Sequence, residues 1–496
     1  MLSENENEYE AAFWGLNARA DEREFRTKRN ERNTMLKVAR KFYDGLHPQS
    51  LKVRPGDQDP NIIINFCRKV VDNSVAWMFG DVERGLMLKM ELIGQNQSSK
   101  TQKPKSQNAE GQIGEAAGGE EESEAELWLS QAWEANGGPQ FFQKMGKRTG
   151  ITGHGFVKVV PPDDDENDLA PYPMLVLLKP EMVSILPKPN NTDAVAAYLV
   201  EWDEKRTLTP KGKAVTVTVR QFIARLGPEE TPWVVGTLSS TGKGRSRWAF
   251  DAEPEVWPYG WCPIVEWQNL PNDNNMYGLS DLEDLPELNK AINMIATNIN
   301  RILFIHGHPR TVGIGFNAGE VQDTAIDAFW TIDNKDAKVQ TLEMQSDLKS
   351  SFAFMQFLAQ SLFDIARDLD LGSLRDRIGQ VTDFGLRVLA NTALAKLGEK
   401  RTTYGKAINR INAIMLELGE FPAQETKLHW KDPLPENAGE EADRLVKEIG
   451  VKIVSRRTAI EERGRDAEVE EERMQEEAAA ERNVGGEILR AFEEGK

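Results

Sequence analysis

The sequence predicts a helix-rich α+β chain. Apolar residues recur at helical three- and four-residue steps over much of its length, whereas residues 151–267 carry short β-like runs between turn clusters. With 496 residues, of which 40% are hydrophobic and 28% charged, the chain can form two to four domains with a sizeable core.

Charge and cysteine content narrow the classes of function. The net charge is −18 and the pI about 5.0, so the surface as a whole repels phosphate. This disfavours a protein that grips nucleic acid tightly, but it permits one past which nucleic acid slides. Cys67 and Cys262 lie far apart in sequence, which argues against a disulfide or a cysteine-based metal site. The mean hydropathy is −0.52, no run approaches the roughly 20 apolar residues of a membrane span, and the acidic start is unlike a secretory signal.

The first 150 residues are predicted to be mostly helical. Apolar and charged residues interleave from Ala11 to Tyr43, where turn chemistry begins. A short β-like run follows at 61–65, then a helix at 66–79. Residues 94–126 are low-complexity and are expected to form a mobile surface loop before helical spacing returns at 125–145.

The β-rich part has two segments that superficially resemble ligand sites. Residues 163–168 are acidic, but they lack the glycine and glutamate of a calcium loop. Residues 242–247 contain Gly-Lys-Gly, but they lack the remaining residues of a phosphate loop. Both are predicted to be loops between strands.

Residues 277–381 are predicted to form a helix, a short β-rich insert, a second helix and a polar loop. The first helix begins either at Ser280, with a capping box to Glu283, or at Asp284, and the first choice requires Pro286 to kink the helix. The second begins near Ser346. The apolar residues expected on one face of each helix are Leu285, Leu288, Ile292, Ile295, Ile299 and Ile302, and Leu348, Phe352, Met355, Ala359, Leu362 and Ala366. The remaining faces are expected to be polar, with Asn289, Asn293, Asn298, Asn300, Gln356 and Gln360.

The C-terminal part is predicted to be helical as well. A long helix is expected from about Phe384 to Leu418, ended by Gly419 and Pro422, with a short strand at 429–435 that leads into a proline-bounded linker. Helical spacing resumes at 440, and the mostly acidic residues beyond it are either further helix or a frayed tail.

Two groups of residues resemble a known family. The first is Tyr43-Asp44-Gly45 with the Asn-bounded run 61–65, residues 68–72 of the following helix, and Phe79-Gly80-Asp81 at its end. The second is the strand 263–269, ending in Asn, and the helix start Gly278-Leu279-Ser280-Asp281-Leu282. Together they are similar to the portal proteins of tailed double-stranded-DNA bacteriophages, of the siphophage type.

This resemblance implies a domain organisation. It implies a subunit with wing, stem, clip and crown regions that assembles as a ring around a central channel. The regions are expected at 1–278 (wing), 279–303 (first stem helix), 304–345 (clip), 346–368 (second stem helix), 369–382 (tunnel loop), 383–435 (long wing helix and return strand), 436–482 (crown) and 483–496 (flexible tail).

The resemblance also implies function and partners. It implies a virion protein at one capsid vertex, assembled in the host cytoplasm and usually of twelve subunits, through which double-stranded DNA is packaged and ejected. The implied partners are the terminase large subunit, head–tail adaptors, and major capsid and scaffolding proteins. The implied site residues are Arg367, Ser373, Arg375, Arg377 and Gln380 toward DNA, and Arg310, Phe316 and Trp330 on the docking surface of the clip. Ion pairs between subunits are the alternative role for Arg367, Arg375 and Arg377.

No catalytic constellation is recognisable. The five histidines are scattered, the pair His306 and His308 lacks a third ligand, and no nucleophile elbow or dinucleotide glycine pattern occurs. We therefore expect no enzyme activity, cofactor or metal. The alternative function is another structural ring component of the virion, such as a head–tail adaptor or capsid protein, and a DNA-processing enzyme is the less favoured third.

Overall fold

The structure is a computed structural model of the 496-residue chain. It describes residues 19–53, 59–80, 88–92, 124–162, 172–188, 191–206, 214–225, 231–240, 249–273, 276–307, 310–314, 338–342, 348–369, 383–422 and 424–434, with isolated residues between 446 and 474. The chain divides into two compact units, residues 1–378 with 389–433 and residues 379–388 with 434–496. The first unit contains every sheet of the described residues.

Helices and strands alternate in blocks along the first unit, as the sequence predicts. The helices are α1 (Arg19–Tyr43), α2 (Phe66–Phe79), α3 (Glu124–Ala135), α4 (Gly138–Thr152), α5 (Leu285–Gly307), α6 (Leu348–Ala366) and α8 (Asn391–Leu418), and α7 (Asp383–Leu389) belongs mainly to the second unit. The strands are β1 (Leu88–Leu92), β2 (His154–Val160), β3 (Met174–Leu177), β4 (Val183–Lys188), β5 (Asn191–Arg206), β6 (Val215–Ala224), β7 (Val234–Ser240), β8 (Ala249–Phe250), β9 (Glu255–Val256), β10 (Ile264–Gln268), β11 (Arg310–Ile314), β12 (Lys338–Leu342) and β13 (Thr426–Trp430).

Two antiparallel sheets lie in the middle of the first unit. One has the strand order β10-β2-β3, and the other has β4-β5-β6-β7-β8 with β9 beside β7. They pack against each other through one apolar cluster that includes Phe156 and Ile264 from the first sheet and Tyr198 and Ile223 from the second. The opposite face of the three-stranded sheet belongs to the main core with α2, α3, α4 and α8. The three-stranded sheet therefore lies between the helices on one side and the second sheet on the other.

The run at 61–65 is extended, as expected, but it pairs with no strand among the described residues. Its backbone groups bond instead to side chains of α5. Strand-like composition predicts an extended chain, whereas the partner of that chain is decided by tertiary packing.

The first central helix begins at Leu285, after a turn at 281–284, so the start at Asp284 is the correct alternative. Pro286 therefore lies in the first turn, where it lacks no hydrogen bond and causes no kink. The capping pair still forms ahead of the helix: the Ser280 N–H donates to Glu283 Oε2 at 3.4 Å, and Ser280 Oγ accepts from the Leu282 N–H at 3.0 Å.

The predicted long helix is two helices, α7 and α8, which meet at Ala390. Gly419 follows the last residue of α8, as expected, although its φ is −85° and the positive φ of 61° belongs to Glu420. Glycine is required at 419 for another reason. A Cβ there would lie 2.9 Å from the indole of Trp128.

Two further predictions concern helices and loops. The helical stretch at 125–145 is divided into α3 and α4 by Gly137 and Gly138, which have positive φ values of 101° and 49°. The predicted loop at 94–126 lies outside the described residues except for its last three, which belong to α3. The tail at 483–496 and residues 315–337 of the predicted β-rich insert also lie outside them. No helix of the described part of the chain has the length and apolarity of a membrane span.

Candidate functional site: the α5–α6 pair and its buried anchors

Helix α6 exposes large apolar side chains. Phe354, Phe357 and Ile365 lie on one helical face, at i, i+3 and i+11, and expose 53%, 59% and 53% of their surface. The rings of Phe354 and Phe357 are stacked with centroids 6.4 Å apart. We call these three residues the α6 stripe. A contiguous apolar surface of this kind marks an interaction site more often than isolated exposed residues do.

The α6 stripe differs from the sequence-based expectation. Leu362 and Ala366 are buried as predicted, but Phe352 of the predicted buried face is 45% exposed. The expected polar outer face of α6 instead carries phenylalanines beside the exposed Gln356 and Gln360. The periodicity of α6 correctly predicted that Leu362 and Ala366 are buried. It did not predict that a second apolar face of the same helix is exposed in the single chain.

Much of the predicted polar surface of α5 is buried, although Asn298 is exposed. Asn289, Asn293 and Thr297 are 0%, 2% and 0% exposed, and they lie one turn apart on the helix. Asn293 Oδ1 accepts from the Ile64 N–H at 2.9 Å, and Thr297 Oγ1 accepts from the Ile62 N–H at 3.1 Å.

Asn289 holds the end of the same segment. Its Oδ1 accepts from the Phe66 N–H at 3.1 Å, while its Nδ2 donates to the Ile64 carbonyl at 2.8 Å. Asn300 is half-buried and donates to the Pro60 carbonyl at 3.1 Å. These side chains together hydrogen-bond the extended run that the sequence had predicted as a strand. Asn289 and Asn293, which were expected on a polar face of the helix, therefore do not lie against water, because both satisfy backbone groups inside the chain.

His47 is also hydrogen-bonded to this row of polar side chains on α5. Its Nδ1 accepts from Asn293 Nδ2 at 2.9 Å and its Nε2 donates to the Phe42 carbonyl at 3.0 Å, a pattern that requires the neutral ring. Burial lowers the pKa of His47. The turn at 43–47, part of the family resemblance, is thus tied directly to α5.

An ion cluster lies at the start of α5. Asp281 is fully buried, with Oδ1 3.0 Å from Lys396 Nζ and Oδ2 2.6 Å from Lys400 Nζ. Asn269 Nδ2 also donates to Asp281 Oδ1 at 3.3 Å, and Tyr404 donates to Asn269 Oδ1 at 2.9 Å. We call Asp281, Lys396 and Lys400 the Asp281 cluster.

The cluster connects α2, α4, α6 and α8 to the segment between β10 and α5. The two lysines come from α8, and Asp281 follows the strand β10 and precedes α5. Lys400 Nζ donates to Ser74 Oγ of α2 at 2.7 Å, and Lys396 Nζ donates to the carbonyl of Ala366, the last residue of α6, at 2.8 Å. The Asp281 N–H donates to the Gly150 carbonyl of α4 at 2.9 Å. The α5–α6 pair is therefore anchored to the helical layer by charge as well as by apolar packing.

The pKa values of the Asp281 cluster reflect its composition, because one buried carboxylate is shared by two buried ammonium groups. Two buried cations outweigh the desolvation of Asp281 and lower its pKa to about 2. Burial, together with repulsion from Lys396, outweighs the attraction of Lys400 to the shared carboxylate and lowers the pKa of Lys400 to about 8. Buried Tyr404 has a raised pKa because its ionised form would be desolvated and would face Asp281.

Beside the cluster, α6 ends in an unusual turn. Arg367 has a φ of 52°, its N–H donates to the Asp364 carbonyl, and the Asp368 N–H donates to the Phe363 carbonyl, which is the Schellman pattern with arginine in place of glycine. The guanidinium forms a two-pronged ion pair with Glu399 of α8, at 2.8 and 3.1 Å. Arg367 is therefore paired within its own chain, whereas the expectation named DNA or a neighbouring subunit.

A small cavity of about 20 Å³ lies between this turn and the cluster, lined in part by Ser74, Asp368 and Lys396. That volume suits about one water molecule. Asn73 donates to Asp368 at 3.2 Å, but burial still raises the pKa of this carboxyl. The cavity does not have the size of a substrate site.

The other predicted site residues are not tested by this geometry. Ser373, Arg375, Arg377, Gln380, Phe316 and Trp330 lie outside the described residues. Arg310 is described only as the first residue of β11, opposite Leu342 of β12. Within the described ranges, no group of three histidine, cysteine or acidic side chains is arranged to hold a metal ion.

Sequence reasoning found the Ser280-Asp281 motif but missed the role of its aspartate. The available signal was the pair Lys396 and Lys400, one turn apart on a helix and aligned with apolar Ala393, Leu397 and Tyr404. Lysines on an apolar face require a buried anion.

Comparisons with known proteins agree with the family resemblance. The family model described as "Phage portal protein, SPP1 Gp6-like" matches residues 23–483. No curated protein sequence matches this chain.

Solved structures that match this chain include "Neck of empty GTA particle computed with C6 symmetry", with 13% identity, a TM-score of 0.45, and coverage of 83% of this chain and 94% of that chain. "Neck of native GTA particle computed with C12 symmetry" has 15% identity, a TM-score of 0.37 and coverage of 67% and 82%. "Virion of native gene transfer agent (GTA) particle" has 12% identity, a TM-score of 0.36 and coverage of 69% and 84%.

Proposed function

The chain belongs to the SPP1 Gp6-like phage portal family, and from this membership we propose that it forms a ring-shaped channel at one capsid vertex. Double-stranded DNA passes inward through this channel during packaging and outward at ejection. The family is a structural one, and the proposed role requires no catalytic residue or cofactor. The family match over residues 23–483 is the observation that carries the proposal.

The proposed subunit has the regions that the resemblance implies. The wing comprises 1–278 together with 383–435, and the two stem helices are 279–303 and 346–368, around α5 and α6. The clip is 304–345, the tunnel loop 369–382, the crown 436–482 and the tail 483–496.

The α6 stripe supports assembly into a ring. Half-exposed Phe354, Phe357 and Ile365 would each contribute about 1 kcal/mol if a neighbouring subunit covered them. In a closed ring, each subunit offers this face to a neighbour once, so no stripe stays exposed. The buried face of α5 cannot serve here, because Ile292 and Ile299 are already covered within the chain. We propose twelve subunits, the number usual in the family.

The proposed channel requires weak contact with DNA. A net charge of −18 gives the ring as a whole little affinity for phosphate, so DNA is not held in place by counterion release. We assign the closest approach to the tunnel loop, with Ser373, Arg375, Arg377 and Gln380 and the flanking Arg367. Arg367 can take part only through the face of its guanidinium that Glu399 leaves open, since the side chain is 37% exposed.

We propose partners for each end of the ring. The clip, through Arg310, Phe316 and Trp330, docks the terminase large subunit during packaging and the head–tail adaptors afterwards. The major capsid and scaffolding proteins surround the wing. The protein would then be a virion component that assembles in the host cytoplasm.

Negative-stain electron microscopy of the purified protein tests the assembly. Rings with a central hole are expected, whereas only monomers and dimers at several salt concentrations would refute the proposal. Phe354→Asp with Phe357→Asp should abolish rings while circular dichroism stays unchanged. Gln356→Asp with Gln360→Asp, exposed on the same helix, is the matched control and should leave rings intact.

A packaging assay tests the tunnel loop. Arg375→Ala with Arg377→Ala should leave rings intact and change the yield of packaged DNA. Rings that package DNA at the normal yield would remove both arginines from the channel site without affecting the assembly result.

A further inference from the structure

A second group of exposed apolar side chains lies where α1 and the segments after it meet α5. The side chains that expose 66%, 47% and 50% of their surface there are Leu46, Ile63 and Met294. Each is the sequence neighbour of a residue in one hydrogen-bond network, in which Asn293 donates to His47 and accepts from the Ile64 N–H. The three exposed side chains are therefore close together in space, although Met294 is far from the other two in sequence.

Helix α1 extends this apolar surface. Met35 and Val38 are exposed and lie one turn apart, on the helical face that also carries Phe42. The ring centroids of Phe42 and His47 are 4.7 Å apart, so this face of α1 leads to Leu46. We call the exposed residues Met35, Val38, Leu46, Ile63 and Met294 the α1–α5 patch.

The α6 stripe and the α1–α5 patch belong to the same unit, but neither covers the other within one chain, since both are exposed. The inner face of α6 packs elsewhere, with the ring of Phe363 5.6 Å from that of Phe66. Apolar surfaces of this kind mark contacts with another molecule. In a closed ring of identical subunits, each contact joins two different surfaces of the chain. The stripe and the patch are two such surfaces.

The charges beside these two surfaces are complementary. Asp364 is exposed near the C-terminal end of the stripe and is the only acidic residue of α6. At the patch, Lys37 and Lys41 are exposed one turn apart on α1, where Asp44 is the neighbouring acid. Within the described part of the chain, Asp364 and the two lysines form no ion pair. An acidic end of the stripe can therefore meet a net basic edge of the patch, which favours one orientation.

We propose that the α6 stripe of one copy packs against the α1–α5 patch of the next copy, with Asp364 beside Lys37 and Lys41. The occupant of the patch is a second copy of this chain. Every copy carries both surfaces, so a ring covers all stripes and all patches at once without another protein. This inference rests on the proposed ring, and it adds the surface that receives the stripe.

Cysteine cross-linking tests which surfaces meet. The background is Cys262→Ser, since the other cysteine, Cys67, is fully buried. Phe357→Cys is combined with one cysteine of the patch at a time, and rings are treated with a short bismaleimide. The patch variants are Leu46→Cys, Ile63→Cys and Met294→Cys. At least one combination should give a ladder of covalent multimers, because each copy is then linked to two neighbours.

Two controls accompany these pairs. Phe357→Cys alone should give no cross-link, because identical positions do not meet where two different surfaces are joined. Phe357→Cys with Met174→Cys, which is exposed on β3, should give none either.

Negative-stain images of the same samples separate this inference from the proposed function. Visible rings in which none of the three pairs cross-links would overturn the inference and leave the proposed function standing. Dimers from Phe357→Cys alone, or an equal ladder from the Met174→Cys pair, would overturn it as well. Absence of rings from the Cys262→Ser background would refute the proposed function, and this inference with it.

Exchange of charges gives a second readout, measured by analytical ultracentrifugation. Asp364→Lys, and separately Lys37→Glu with Lys41→Glu, should raise the protein concentration for half-assembly about three- to tenfold. The combined variant should return to within about twofold of wild type, because opposite charges again face each other. Glu255→Lys, exposed on β9, is the control and should have no effect. A combined variant that assembles no better than either parent would overturn the inference.

Discussion

Replacement of Asp281 by asparagine should destabilise the first unit strongly. The amide keeps the shape of the carboxyl but removes the negative charge shared by Lys396 and Lys400, which are 6% and 3% exposed at their side chains. Both ammonium groups would then be buried without a counter-charge. The variant would also weaken the hydrogen bonds that join α8 to the start of α5.

The structure sets the size of the effect. A pKa lowered from 3.8 to about 2 in a fully buried carboxyl corresponds to about 2 to 3 kcal/mol in favour of the ionised form. Two unpaired lysines add their own desolvation, and removing one partner of a buried ion pair costs about 3 to 5 kcal/mol. We therefore expect Asp281→Asn to lower the free energy of unfolding by about 3 to 5 kcal/mol.

The pH dependence of the unfolding free energy distinguishes the contribution of Asp281 from that of Lys400. Asp281 has a lowered pKa in the folded state, so its stabilisation is present above about pH 4 and is lost as the pH falls toward about 2. Lys400 titrates at about 8 in the folded chain and at 10.5 in the unfolded one, so the unfolded state binds more protons between these values. Stability contributed by this group therefore rises from pH 8 to 10.5, and Lys400→Met should abolish that rise.

Equilibrium urea unfolding followed by circular dichroism measures both effects. Lys406→Met, exposed on the same helix, is the control and should change stability by less than about 0.5 kcal/mol. Asp281→Asn combined with Lys396→Met and Lys400→Met should recover much of the loss, because no buried charge then remains. An Asp281→Asn variant within about 1 kcal/mol of wild type, or identical wild-type and Lys400→Met profiles between pH 8 and 10.5, would refute the reasoning.

Two further substitutions have matched controls in the same helices. Asn293→Leu leaves the half-buried Ile64 N–H without an acceptor and should cost about 1 to 3 kcal/mol by urea unfolding, whereas Asn298→Leu, exposed on α5, should be close to neutral. Gly419→Ala forces a Cβ against Trp128 and should cost about 1 to 3 kcal/mol, while Gly398→Ala, with open space around it in α8, should stabilise by about 0.5 to 1 kcal/mol. Equal effects within either pair would contradict the assigned contacts.

Local patterns were sufficient for most of the architecture. Helical spacing identified α2, α5 and α6 to within a few residues, and it predicted α7 and α8 as one helix. Runs of β-branched residues identified β2, β3, β5, β6 and β7, whereas β4 was not predicted. The start of α5 was reduced to two alternatives, and the structure selected the one at Asp284. The family resemblance rested on residues 43–81 and 263–282, and the family match over residues 23–483 confirms it.

The partners of polar groups were not predictable in the same way. Asn289 and Asn293 lie on one helical face, and their amides can hydrogen-bond either to water or to a backbone segment. Only the packing of α5 against residues 60–67, more than 220 positions earlier, decides between them. Likewise, Lys396 and Lys400 are ordinary helix residues until Asp281, more than a hundred residues away, lies between them.

The sequence alone therefore determined the helices, the strands, the turn and cap chemistry at Ser280, and the family to which the chain belongs. These depend on interactions between near neighbours and on short motifs, which a single sequence displays directly. Tertiary structure alone decided which faces are covered: it buried much of the polar surface of α5, joined one carboxylate to two lysines, and left Phe354, Phe357 and Ile365 exposed. The physical reason is that burial depends on which distant segments meet, and periodicity specifies only which side chains share a face.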